Sequence, residues 1–368
     1  MRQRHYWSRG EAMQEISRVG FGLLGTGLVA PFHGKAIQAS GLARLVAAAD
    51  TDAARLARFT AEFGCKGYGT LAEMLADPEI QVVNILTPNH LHTEAVLQAA
   101  RAGKHILVEK PPAMSLRDMD TISKAGAQAD VKIGVVLQCR MRRSVQAIRE
   151  ALNQGRFGKV YHADAYMKWY RPADYYRMDA WRSSRRFGAG VTIQQAFHYI
   201  DLLQYLVGPV KRVHACMTNL AHPGIALEDT VVAYVTYQNG GQGVVEASKA
   251  LWPGTDVRIE VNGEKGTAVL AGERMHTWRF QDEWPEDEEI RCLGSASAAT
   301  GARGAADFGF LDHQAVIEDM VRAIEGGGEP LITPASVRPT LEWALAMYQS
   351  AKQDSHVELP IVDEEAVW

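Results

Sequence analysis

An apolar run, Val19–Leu24, leads directly into Gly25-Thr26-Gly27-Leu28-Val29-Ala30, and this junction constrains the fold more than any other stretch. Its spacing fits G-x-G-x-x-G/A, the turn from a buried strand into a helix that receives a dinucleotide pyrophosphate. Gly25 permits the tight turn. Gly27 keeps side-chain atoms away from the phosphates, and Ala30 is small enough for the helix to pack on the strand. The free N–H groups of that helix then face the anion. A second apolar run, Leu45–Ala49, ends in Asp50, 20 residues past Ala30, where an acid is expected to hold the adenosine ribose. Asp50 has a second reading, as the cap of a helix beginning near Ala53, although Thr51 or Asp52 serves that role as well. A carboxylate beside a 2′-phosphate opposes it by about 4 kcal/mol per charge pair at ~4 Å and intermediate dielectric. The sequence therefore favours NAD over NADP.

The strand–helix unit then repeats. A helix is expected over Ala30–Ala39, strands over Gln81–Leu86, His105–Val108 and Lys132–Leu137, and helices from His92 to Ala102 and over Leu116–Ala129. This alternation implies a doubly wound parallel sheet, α/β in class, with ligands at the carboxyl ends of its strands. Asp50, Thr87-Pro88-Asn89, Glu109-Lys110 and Gln138 all fall at such ends.

Near residue 140 the pattern changes. A helix over Ser144–Asn153 is followed by strand-like runs at Val160–Met167, Val210–Met217, Asp229–Tyr237, Gly243–Ser248, Val257–Val261, Thr267–Leu270 and Met275–Phe280. Asn239-Gly240 and Asn262-Gly263 separate strand pairs, a strong hairpin signal. The second half reads as an α+β domain with a mostly antiparallel meander. Asp282–Glu289 and Gly294–Ala306 read as solvated loop, and helices over Phe310–Ile324 and Ser336–Ser350 close the chain. The expected division is an N-terminal extension over 1–18, a dinucleotide domain over 19–140 and a substrate and oligomerisation domain over 141–333.

One further helix, Ile193–Val207, carries an apolar stripe of Ile193, Phe197, Ile200, Leu203 and Val207, and a polar one of Gln194, His198, Asp201 and Tyr205. A polar face on a core helix meets solvent or lines a pocket. Upstream lie Trp169-Tyr170-Arg171, Tyr175-Tyr176-Arg177 and Trp181-Arg182. Aromatic rings stack on sugar and nicotinamide faces and Arg donates to hydroxyls or carboxylates, but the same residue types also favour subunit contacts.

Composition bounds the rest. With 47% hydrophobic and 22% charged residues, a net charge of −4 and a pI near 6.3, nothing points to nucleic acid or an anionic membrane. No apolar run approaches the roughly 20 residues of a membrane span, and no apolar stretch follows the basic N-terminus as in a signal peptide. Four scattered cysteines without a C-x-x-C pair suit a reducing cytoplasm and argue against a metal cluster. His90 and His92 lie two residues apart with no third ligand nearby in sequence, which disfavours zinc.

The motifs Gly25-Thr26-Gly27-x-x-Ala30, Thr87-Pro88-Asn89-His90-Leu91-His92, Glu109-Lys110-Pro111 and Gly188-x-Gly190 running to His198-x-x-Asp201 resemble the Gfo/Idh/MocA oxidoreductases. The resemblance runs from Val19 to Pro360. It implies a Rossmann domain joined to an open-faced, mostly antiparallel sheet, with the active site between them and a last helical segment, 334–360, returning to the cofactor domain. It further implies an NAD(P)-dependent sugar or polyol dehydrogenase; separately, an exposed sheet face in the second domain would invite dimer or tetramer formation. Lys110 would contact the reacting oxygen, His198 would act as acid/base, and Glu109 would support the ribose side. Cofactor contacts are expected from Gly25, Thr26, Gly27, Leu28, Val29, Asp50, Thr87, Pro88, Asn89, His92, Glu109, Lys110 and Gln138. Substrate contacts are expected from Gln194, Asp201, Tyr170, Arg171, Tyr176, Trp181 and Arg182. Inositol-type members carry Asp where this chain has Gln194, and a neutral amide orients substrate but relays no proton. A non-catalytic NAD-binding sensor and an NAD-retaining glycosidase are the alternatives within the same family.

Overall fold

The structure, a computed structural model, describes residues 18–185, 187–188, 190–294 and 309–362. The expected extension over residues 1–17 and almost all of the Gly294–Ala306 loop lie outside the described residues.

The first half alternates strands and helices: β1 (Val19–Leu24), α1 (Ala30–Ala39), β2 (Ala43–Ala49), α2 (Ala53–Phe63), β3 (Lys66–Tyr68), α3 (Leu71–Leu75), β4 (Val82–Ile85), α4 (His92–Arg101), β5 (His105–Glu109), α5 (Leu116–Ala129) and β6 (Ile133–Val136). All six strands run parallel in the order β3-β2-β1-β4-β5-β6. The order reverses between β1 and β4, and the strand ends there leave a crevice for a ligand. The continuous apolar strands follow from burial on both faces, since helices cover each side. Local capping sets the helix starts: Asp52 accepts from Ala54 and Arg55 N–H, and Thr70 and Glu73 form a capping box. Neither β3 nor α3 was legible as an element, because each is too short to show a period.

The second half holds α6 (Arg143–Asn153), β7 (Val160–Lys168), α7 (Asp174–Arg177), α8 (Val191–Gln194), α9 (Phe197–Val207), β8 (Val210–Thr218), β9 (Thr230–Tyr237), β10 (Gln242–Ser248), β11 (Arg258–Gly263), β12 (Gly266–Ala271), β13 (Arg274–Phe280), α10 (Asp287–Arg291), α11 (Leu311–Gly326), α12 (Pro334–Gln353) and β14 (Val357–Glu358). Its eight-stranded sheet has the order β13-β12-β11-β7-β10-β9-β8-β14. It is not a simple meander, since β7 inserts between β11 and β10 and pairs parallel with β10. In β9, Val231, Ala233, Val235 and Tyr237 are buried, while Val232 and Tyr234 are 48% and 42% exposed, so one face is packed and the other open. Asn239-Gly240 makes the β9–β10 turn. Asn262-Gly263 does not make the next one: Asn262 still pairs with Thr267, and Glu264-Lys265 forms the loop.

Three further expectations are corrected. The helix expected over Ile193–Val207 is two, α8 and α9, broken at Gln195-Ala196, and the Gln194 carbonyl accepts from Lys110 instead of continuing the ladder. The acidic run is not wholly solvated, since Asp287 is buried and accepts from Arg156 and from Trp278 Nε1. Finally, α12 does not simply return to the first half. Arg338 reaches Asp120 on α5 at 2.7 Å, whereas Ser350 accepts from the Ala215 amide of β8, and β14 then extends the second sheet. Among the described residues, no helix is long and apolar enough to cross a membrane.

Asp201, expected at the substrate, lies instead in the core between the two halves. It is fully buried and accepts from Arg140 Nε at 2.7 Å and from Thr340 Oγ1 at 2.9 Å. Arg140 also donates to the Ser336 hydroxyl and carbonyl of α12. Removing one partner leaves the other as an uncompensated buried charge. Asp201→Ala should therefore lower the unfolding free energy by about 3–5 kcal/mol in urea titration; a loss below about 1 kcal/mol, the range of exposed pairs, would mean that the pair is not desolvated.

Candidate active site

A cleft of about 400 Å³ opens at the carboxyl ends of the first sheet and is also lined by the second half. Gly25 has φ +97°, the left-handed region open to glycine, and a Cβ there would meet the Leu86 carbonyl at 3.0 Å. A Cβ on Gly27, by contrast, would meet nothing within 4 Å, so this position faces open space. α1 begins beside it with no side-chain cap and no acid in its first turn, which leaves its positive end to an anionic ligand. Thr87 Oγ1 and Gln138 Oε1 are buried on the same wall without a hydrogen-bond partner. A glycine-lined cradle, an uncapped helix end and two unsatisfied polar atoms fit a dinucleotide.

Asp50 lines the cleft and pins the turn as well: one carboxylate oxygen accepts from both Thr26 N and Thr26 Oγ1 at 2.8 Å, the other from Asp52 N at 2.8 Å. Burial works against its charge, but the Asp52 and Thr26 bonds and the Arg55 charge outweigh burial and hold the carboxyl below its usual range. Asp52, not Asp50, caps α2. Thr26 is thus spent on Asp50 and does not line the main cleft.

Leu28, Val29, Pro88, Asn89 and His92 complete the cofactor-side wall. The ring of His92 is fully buried, with Nδ1 2.7 Å from the Pro111 carbonyl and Nε2 2.8 Å from the Thr87 carbonyl. It ties two strand-end loops together and has no nitrogen left for a ligand. Glu109 accepts from His33 at 3.0 Å, and Asn84 holds the far side of that ring at 2.8 Å. Burial disfavours the Glu109 carboxylate, but His33, His313 and Lys110 overcome it and hold its pKa at about 2.

Lys110, just past the end of β5, and His198, at the start of α9, both line the cleft, close enough for the lysine's charge to act on the ring. Lys110 Nζ donates to the Gln194 carbonyl. Burial lowers the Lys110 pKa, with Glu109 opposing. Burial, then the Lys110 charge, holds His198 well below the usual imidazole range. Among the described residues, His198 Nδ1 is buried without a partner, so no carboxylate holds that nitrogen. The Gln194 amide is engaged with the wall instead: its Nε2 donates to the Arg182 carbonyl and its Oε1 accepts from Tyr175.

The substrate side departs from expectation by single-residue steps. Arg171, Trp181, Arg182, Gln194 and His198 line the cleft, whereas Tyr170, Tyr176 and Asp201 do not. Trp169 and Tyr175 stand there instead. At the end of β7, alternation sends Trp169 and Arg171 inward and Tyr170 the other way, where it bridges Ala250. That period of two was the available signal. Tyr176 packs edge-on against His222. Gln195, Arg55, Asp179 and His313 also line the cleft, and only the fold brings them there.

Residues 19–137 match the family described as an oxidoreductase family with an NAD-binding Rossmann fold, and residues 145–269 match the GFO/IDH/MocA C-terminal domain. Among curated relatives, the myo-inositol 2-dehydrogenase of Thermotoga maritima is 28% identical over 71% of this chain and 78% of its own. The D-apiose dehydrogenase of Paraburkholderia graminis is 27% identical over 95% and 92%. Among solved structures, the WlbA dehydrogenase of Bordetella pertussis in complex with NADH and UDP-GlcNAcA has TM-score 0.85 at 31% identity, covering 94% of this chain and 98% of that one. With likeness running through both halves, and a cleft that suits the dinucleotide those matches imply, the chain belongs to the Gfo/Idh/MocA family of NAD-binding oxidoreductases.

Proposed function

We propose that the protein is an NAD-dependent dehydrogenase that interconverts a secondary alcohol and a ketone on a sugar or sugar derivative. The observation that carries this reading is that Lys110 and His198, one from each half of the chain, line one cleft that also contains the Gly27 cradle. A bound nicotinamide supplies hydride transfer. The chain's own residues hold the substrate and move its proton. Lys110 donates to the reacting oxygen and stabilises its developing negative charge. His198 is neutral around pH 7 and accepts the hydroxyl proton at a ring nitrogen. Trp169, Tyr175 and Trp181 supply stacking faces for a sugar ring.

Inositol, apiose and levoglucosan dehydrogenases among the relatives, and UDP-GlcNAcA in a structural neighbour, support a sugar-like substrate. We place the boundary between the cofactor and substrate domains near residue 140. We also assign the protein to the cytoplasm, as a dimer or tetramer formed through the uncovered face of the second sheet around Val232 and Tyr234.

Gly27→Val should leave the unliganded fold intact, within about 0.5 kcal/mol, yet weaken NAD binding severely in a fluorescence titration; unimpaired binding would remove the cradle from the site. NAD should bind more tightly than NADP, and equal affinities would release Asp50 from the ribose. Lys110→Ala should retain NAD and lose about 100- to 10,000-fold in turnover. The pH profile of kcat/KM has a worked sign. Activity needs neutral His198, so it is lost as pH falls, with a midpoint below about 6.5; it needs charged Lys110, so it is lost as pH rises, with a midpoint below about 10.5. Lys110→Arg should abolish the alkaline limb, and a limb that persists would move the charge requirement to another group.

A further inference from the structure

The substrate end of the cleft holds two buried guanidiniums. Arg171 and Arg182 line it while only 2% and 8% exposed. The Arg171 guanidinium lies 5.0 Å from the Trp169 ring centroid, and that of Arg182 lies 4.9 Å from Tyr175 and 4.7 Å from Trp181. Behind this wall sits Lys249, fully buried, with Nζ 4.7 Å from the Tyr176 ring centroid and no hydrogen-bond partner. Burial and the two guanidiniums push its pKa down to about 8, against the pull of Glu228 and Asp229. Arg182 also opposes the charge of Lys110.

The acids behind the wall are hydrogen-bonded there and face Lys249 rather than the cleft lining. Glu228 accepts through Oε1 from Tyr348 and the Thr192 amide, with its Oε2 left without a partner, and Asp229 accepts from His222 and the Leu220 and Ala221 amides. Among the described residues lining the cleft, Asp50 is tied to Thr26, Glu109 to His33, and Asp179 to Arg182 and Arg55. Gln194, whose carbonyl accepts from Lys110, is neutral. Like charges held together away from water raise one another's free energy, and an anion relieves them through short, charge-assisted hydrogen bonds. Arg182 is built for that contact: Nε is held by Asp179 at 3.2 Å and Nη1 by the Tyr175 hydroxyl at 3.0 Å, which leaves Nη2 for a ligand.

We propose that the substrate carries an anionic substituent, a carboxylate or a phosphate, and that Arg182, backed by Arg171 and Lys249, is the group that selects it. The proposal rests on the dehydrogenase reading only for the sugar character of the ligand. The stacked rings take the sugar's apolar face while Arg182 takes the anion at its edge, which orients one hydroxyl toward Lys110 and His198.

Matched ligands test it: glucose, glucose 6-phosphate and glucuronate, together with UDP-glucose and UDP-glucuronate. Binding to the NADH-loaded full chain is measured by calorimetry and turnover with NAD by absorbance. Glucose is the neutral reference, and UDP-glucose, which already carries a diphosphate, is compared with UDP-glucuronate only for the added carboxylate. At least one member should bind about 10- to 100-fold more tightly than the partner lacking its extra anionic group. A preference confined to glucuronate and its UDP conjugate assigns the carboxylate; one confined to glucose 6-phosphate assigns the phosphate. Arg182→Met should erase the preference and Arg182→Lys should restore part of it, while the wild-type comparison needs no variant to fold. Glucose binding as well as every anionic member, no binding by any member, or a preference that survives in Arg182→Met would overturn the proposal. Acids that bind without any NADH forming would count against the dehydrogenase reading and leave the anion pocket standing.

Discussion

The buried pair of Arg140 and Asp201 determines how the two halves of this protein meet. Arg140 follows the last strand of the parallel sheet, and Asp201 sits on the helix that carries His198 one turn earlier. Thr340 and Ser336 bring the long C-terminal helix to the same point. A guanidinium and a carboxylate removed from water are tolerable only when each satisfies the other with good geometry. That requirement leaves little freedom in the position of α9 relative to the end of β5, and so in that of His198 relative to Lys110. The placement of His198 relative to Lys110 therefore depends on a contact outside the cleft lining.

Around that joint, polar groups fall into two kinds. Some hold the walls: Asp50 on Thr26, His92 between two carbonyls, Glu109 on His33, Gln194 on Arg182 and Tyr175. Others face the cleft with capacity left, among them Thr87, Gln138, His198 and the outer nitrogen of Arg182. The division explains why glutamine suffices at position 194. Its side chain fixes the wall and its carbonyl holds Lys110, both of which an amide does without carrying charge. Without a carboxylate partner, His198 stays neutral because it is buried beside a lysine.

The legible part of the sequence was the part governed by local physics. Continuous apolar runs ending in Gly25 or Glu109 imply strands buried on both faces, and their ends are where such a sheet accepts ligands. The Gly25-Thr26-Gly27 turn, Asp50 at its distance and Lys110 after its strand needed only backbone sterics and chain spacing. The family resemblance added His198, which helical periodicity alone left undecided.

What only the tertiary structure decided were the choices between neighbours and between faces. Trp169 rather than Tyr170, and Tyr175 rather than Tyr176, line the cleft because distant packing partners fix which side turns inward. Asp201 continued a polar stripe that looked like one face, yet its partner stands 61 residues away in sequence and takes it into the core. The helix from Ile193 is interrupted because a lysine 84 residues upstream claims the Gln194 carbonyl. The sequence by itself determined the layers and the cofactor half of the cleft, since turns, periods and strand ends are set within a few residues. The substrate half was decided by long-range ion pairs and ring contacts, whose partners become neighbours only when the two sheets are brought together.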